Sequence, residues 1–169
     1  MIRPILKYGA PELETKSTPI TRFGEEIKTL AEDMLETMYA APGVGLAAAQ
    51  VGVNLRLMVI DITGGEEQGH QIIFTNPEIT EQEGIEKAEE GCLSIPGFTA
   101  MIERPNKVHV VGQDLEGNPK DLDAEGLLAR AVCHEIDHLD GILYLDHTSV
   151  LKRDLIKRKI RKLIRAGEW

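Results

Sequence analysis

The chain has no run of apolar residues approaching the roughly 18 needed to cross a bilayer. Its first residues, Met1 to Tyr8, lack the long apolar stretch and small-residue cleavage site of a secretory signal. Both absences predict a cytoplasmic protein. Cysteine is scarce: Cys92 and Cys133 are the only two, and in such a compartment a metal-binding or catalytic role outweighs a disulfide. No internal repeat, low-complexity tract or interdomain linker interrupts the sequence. What is present suffices for one catalytic domain over residues 1–169, with 42% hydrophobic residues to build a core.

Charge is unevenly placed. Residues 152 to 169 carry eight Lys or Arg against Asp154 and Glu168, a net +6. The whole chain carries −9, which leaves −15 for residues 1 to 151. A basic segment on an acidic body suits either a solvated helix face or a surface that meets a polyanion.

Apolar spacing at Ile27, Leu30, Met34 and Met38 predicts a helix over about 24–41, stopped by Pro42-Gly43. Leu57–Ile60, Ile72–Phe74 and Val108–Val111 read as short strands, and Glu116-Gly117-Asn118-Pro119 as a hairpin turn. A second helix is expected to start after Asp123 as its N-cap and to end at Gly141. A third, amphipathic and basic, is expected over about 149–166. These elements predict an α+β domain, mostly antiparallel strands packed around the second helix.

The second helix contains His134-Glu135-Ile136-Asp137-His138, a HExxH sequence. Histidines at i and i+4 point the same way and can share one metal ion, with the intervening glutamate aimed at its water. A third ligand is needed. Extended protease patterns place a histidine where this chain has Tyr144, and no late carboxylate has a suitable context. Cys133 is turned roughly 100° away from His134 on the helix, and His147 lies beyond the helix stop at Gly141. Cys92, in Glu90-Gly91-Cys92-Leu93-Ser94, remains. A thiolate with two imidazoles makes a sound site for Fe²⁺, Zn²⁺, Ni²⁺ or Co²⁺, with one position open.

Three motifs in order resemble those of the peptide deformylases: Gly43-Val44-Gly45-Leu46-Ala47-Ala48-Ala49-Gln50, then Glu90-Gly91-Cys92-Leu93-Ser94, then the HExxH. The resemblance runs from Ile5-Leu6 and Pro19-Ile20 to the basic tail. It implies removal of the N-formyl group from the formylmethionine of nascent polypeptides, with release of formate. It implies Cys92, His134 and His138 as ligands of one divalent ion, Fe²⁺ in cells, with Zn²⁺ or Ni²⁺ accepted. Glu135 would be the acid–base group, and the Gln50 amide and Leu93 N–H the oxyanion donors. Gly45 would let its backbone approach the peptide.

Leu127, Ala131, His134 and His138, at helical spacing, would form a stripe that with Val44 lines a slot for the methionine side chain. Arg130 could flank that slot or be a surface cation. The basic helix would dock on ribosomal RNA, and the enzyme would act as a monomer. Two other classes compete: a HExxH endopeptidase, and a non-catalytic metal- or RNA-binding module.

Overall fold

The computed structural model describes residues 1–169. Its helices are α1 (Glu25–Ala40), α2 (Leu127–Leu139) and α3 (Val150–Arg165). Its strands are β1 (Gly45–Ala47), β2 (Leu57–Ile60), β3 (Ile72–Glu83), β4 (Glu86–Gly91), β5 (Thr99–Arg104), β6 (Lys107–Gln113) and β7 (Pro119–Glu125). All strand pairs are antiparallel. Five strands form one sheet in the order β1-β2-β3-β6-β7, and β4 with β5 forms a separate hairpin. The chain is an α+β protein, and no helix is long and apolar enough to cross a membrane.

Burial explains the layering. Every residue of β2 is buried, because the strand has a helix on each face. Leu57 and Val59 pack with Ile27, Leu30, Met34 and Met38 of α1. Met58 and Ile60 pack with Phe74, Val108 and Val110 and with Ala129, Val132 and Ile136 of α2. The alternation of a strand thus serves two helical stripes at once. A third apolar cluster joins Ile95 and Ile102 to Leu143, Tyr144 and Leu145 and to Ile156 and Ile160 of α3.

Two expectations need correction. Asp123 does not cap α2; it lies in β7 opposite His109, and its carboxylate is hydrogen-bonded to that ring at 2.6 Å. The strand continues because Ala124 faces the core, and the chain turns only at Gly126, whose φ of +62° suits glycine. Ile72–Phe74 is the start of a strand of 12 residues, whose later half is exposed and acidic and shows no apolar alternation. The basic helix begins at Val150, where the Ser149 hydroxyl accepts from the Lys152 N–H at 3.2 Å. Of its apolar residues only Ile156 and Ile160 are buried; Leu151 is 83% exposed.

Candidate metal centre

Helix α2 sets His134 and His138 one turn apart, their Nε2 atoms separated by 3.2 Å. Strand β4 delivers Cys92 immediately after its end at Gly91, placing Sγ 3.3 Å from His138 Nε2. The three donor atoms lie within 4.8 Å of one another. Ligands around one tetrahedral ion would stand about 3.3 Å apart for two nitrogens and about 3.6 Å for nitrogen and sulfur, given metal bonds of about 2.0–2.3 Å. The donor set therefore fits a single divalent ion in both spacing and chemistry.

A carboxylate fixes one of the two histidines from behind. His134 Nδ1 donates to Glu90 Oε2 at 2.7 Å, and its Nε2 faces His138 and Cys92. Glu90 is itself buried and accepts from Arg104 at 2.7 and 3.1 Å and from Arg130 at 3.1 Å. Burial alone would raise its carboxyl pKa, but His134 and Arg104 outweigh burial and hold it well below the usual carboxylate range. The network continues through Arg104 to Asp137, and from Asp137 to His147 at 2.8 Å.

These outer residues escaped sequence reasoning. Their only signals were Glu90 beside the Gly91-Cys92 pair and Asp137 inside the HExxH. Arg130 is not a surface cation: it flanks the slot, with its guanidinium tied to the protein. It is buried, and besides Glu90 it donates to the Ile102 and Glu86 carbonyls at 3.0 and 2.7 Å.

Glu135 is only 2% exposed. Burial pushes its carboxyl up to about 7, against the pull of the nearby His134. Such a group can take up or release a proton near neutrality. Facing it is Gly45, and a Cβ at position 45 would lie 2.8 Å from Glu135 Oε2. The glycine thus makes room for a side chain, a reason different from the backbone approach expected from sequence.

Gln50 is held in a 3₁₀ turn (Ala48–Val51). Its Oε1 accepts from the Ala47 N–H at 3.0 Å, and its Nε2 donates to Ser94 Oγ at 3.0 Å while lying 3.7 Å from Cys92 Sγ. The amide is therefore oriented with its NH₂ toward the Cys92 loop. The Leu93 N–H meets no acceptor within the protein.

Val44, Gly45, Gln50, Leu93, Leu127 and Ala131 line one cavity of about 420 Å³, together with Cys92, His134 and Glu135. Its mouth is apolar: Val44 and Leu127 are 40% and 57% exposed. His138 does not line the cavity; it is buried beside Cys92 and His134, and its Nδ1 has no hydrogen-bond partner. The Tyr144 hydroxyl is likewise buried and unpartnered, its ring stacked 6.5 Å from that of His134. Cys133 stays outside the cavity, in the core between α2 and the sheet, where burial pushes its thiol up to about 11.

The family model described as polypeptide deformylase matches residues 2–154 of the chain. A peptide deformylase of Acidobacterium capsulatum is 50% identical over 169 residues, covering 100% of this chain and 99% of the relative. One of Thermodesulfovibrio yellowstonii is 48% identical, covering 95% of this chain and 97% of the relative. Among solved structures, a peptide deformylase from Legionella pneumophila superposes with a TM-score of 0.91 at 46% identity, covering 99% and 98% of the two chains. The peptide deformylase from Thermus thermophilus gives 0.89 at 43% identity, covering 98% and 97%.

Proposed function

From the premise that this chain belongs to the peptide deformylase family, an enzyme family acting on nascent formyl-methionyl peptides, we propose which of its residues do the work. The observation that carries the reading is that Cys92, His134 and His138 bring their donor atoms within 4.8 Å of one another at the edge of a cavity that the buried Glu135 also lines.

In this reading Cys92, His134 and His138 hold one divalent transition-metal ion, Fe²⁺ in cells, with Zn²⁺ or Ni²⁺ able to replace it. The ion would supply the Lewis acidity that makes a water nucleophilic near neutral pH. Glu90 fixes the His134 ring and its tautomer through Nδ1. The Glu135 carboxylate takes the proton given up as the formyl carbon is attacked, then returns it to the departing methionine nitrogen. Gln50 Nε2 and the Leu93 N–H donate to the carbonyl oxygen as negative charge builds on it, one such donor being worth about 2.7–4 kcal/mol. Val44, Leu127 and Ala131 receive the methionine side chain, and Gly45 keeps the space in which Glu135 works.

The variant Glu135→Gln tests the assignment. It should keep its metal and lose formate release from a formyl-Met peptide by about a hundredfold or more. Undiminished hydrolysis by this metal-loaded variant would remove Glu135 from the chemistry. Internal fragments with the formyl group intact would favour an endopeptidase instead. Metal analysis of protein prepared without air identifies the native ion.

The reading extends to α3, most of whose basic residues remain exposed, as do Leu151 and Leu155. We propose that this helix docks a monomeric, cytoplasmic enzyme on ribosomal RNA. Binding to ribosomes should then fall steeply between about 50 and 200 mM salt. Charge reversal along α3 that leaves ribosome association intact would overturn the docking.

A further inference from the structure

Helix α3 ends in a way that returns the chain to the body. Gly167 adopts a φ of +71°, its N–H donates to the Ile164 carbonyl at 3.1 Å, and the Glu168 N–H donates to the Leu163 carbonyl at 2.9 Å. This is a Schellman closure, and it reverses the backbone. Trp169, the only tryptophan, is thereby carried back against residues far from α3 in sequence.

It makes three contacts there. Its indole Nε1–H donates to the Tyr8 carbonyl at 2.9 Å. Its main-chain oxygen accepts from Lys7 Nζ at 2.7 Å. Its ring lies 6.2 Å from that of Phe98, tilted by 56°.

Every one of these contacts falls on a segment joined to the site. Residues 6 to 8 form a strap: the Leu6 N–H donates to the Gln50 carbonyl at 2.7 Å, and the Tyr8 N–H to the Ser94 carbonyl at 2.8 Å. The strap therefore spans the two segments that carry Gln50 and Leu93. Phe98 belongs to the loop that begins at Cys92, where the Ile95 N–H donates to the Cys92 carbonyl at 3.0 Å. The Phe98 carbonyl closes against Gly91, 3.5 Å from where a Cβ would stand. Trp169 does not line the cavity, so its influence runs through the strap and the loop.

We propose that Trp169 is a positioning residue for deformylation. It grips the strap and the Cys92 loop together, and so keeps the Gln50 amide, the Leu93 N–H and the Cys92 thiolate at a fixed spacing. The inference rests on the roles assigned above to those three residues. It makes the end of a helix that is remote in sequence a part of the site's scaffold.

The test uses the full chain with Trp169→Ala and Trp169→Phe, the second keeping a ring against Phe98 but lacking the indole donor. Trp169→Ala should lower kcat about tenfold with little change in KM, as misplaced rather than missing contacts do. It should also speed transfer of Zn²⁺ from the loaded protein to a chelator, with Trp169→Phe intermediate in both. In the unaltered protein, Trp169 emission should change when the apoprotein is loaded with Zn²⁺. Wild-type kcat and wild-type Zn²⁺ transfer in Trp169→Ala would overturn the proposal. If that variant does not fold, the same two results in Trp169→Phe, together with a Trp169 emission in the unaltered protein that is blind to Zn²⁺, would overturn it. Failure of the site assignment would show separately, as a Cys92→Ser protein that still holds one tightly bound metal.

Discussion

The two flanks of α2 treat buried polar atoms in opposite ways. On one side, Glu90 gathers His134, Arg104 and Arg130, and Arg104 passes the network on to Asp137 and His147. On the other, His138 Nδ1 and the Tyr144 hydroxyl are buried with no partner. The outer nitrogen of one histidine is thus anchored by a carboxylate, whereas that of the other meets only packing. A buried polar group left unpaired costs about 1–3 kcal/mol, so the second flank carries a penalty that the first avoids. The first flank has a different vulnerability: its charges depend on one another, and removing one strands the rest.

The contrast is broken most forcefully at Glu90. Glu90→Ala leaves two buried guanidinium groups and the outer nitrogen of His134 without their common acceptor. Loss of a partner from a buried ionic cluster costs about 3–5 kcal/mol. For a chain of this size that is a fall in Tm of roughly 10 °C, measurable by thermal denaturation of the apoprotein. Metal affinity, read by chelator competition, should fall about 10- to 100-fold. An unchanged Tm would show that the network is decoration.

A smaller effect is expected from Arg130→Met, which leaves Glu90 its Arg104 partner but strips the Ile102 and Glu86 carbonyls of a donor. Destabilisation of about 2–3 kcal/mol in a urea titration is the expected outcome. The smallest change has the opposite sign. Tyr144→Phe removes a hydroxyl that bonds to nothing, and should leave stability unaltered or raise it by about 1 kcal/mol. A substantial loss on removing that oxygen would mean the second flank is satisfied after all, and the contrast would collapse.

Helix α2 was legible because its apolar residues, Val132, Ile136 and Leu139 among them, recur at helical intervals under a motif whose spacing is itself helical. Strand β2 was legible as an unbroken apolar run. Strand β4 was not, and the reason is physical. Its inward-facing position is filled by Glu90, a charge kept inside by Arg104 of the paired strand β5, so no hydrophobic alternation marks it. The start of α2 was misplaced for a related reason: Asp123 is a good cap by chemistry, yet strand pairing with His109 claims it first.

Within the candidate site, the residues singled out from the sequence line one cavity, except His138, which is buried beside Cys92 and His134. The partners behind them could not be read, since Arg104 stands 14 residues from Glu90 and 33 from Asp137, and only the fold joins them.

Gly45 carries a consequence for how such a sequence can vary. Its backbone is ordinary, so nothing local forbids a side chain there; the obstacle is the carboxylate of Glu135, far along the chain. Positions 45 and 135 share one small volume, so a side chain added at 45 displaces the Glu135 carboxylate. Drift at either is therefore conditional on its counterpart, a form of epistasis. Gly45→Ala should be most harmful in the otherwise unaltered chain and less so when combined with Glu135→Asp, even though the shorter carboxylate alone reaches less far. The glycine acts as a mould for the Glu135 carboxylate: what it contributes is the shape of an empty space.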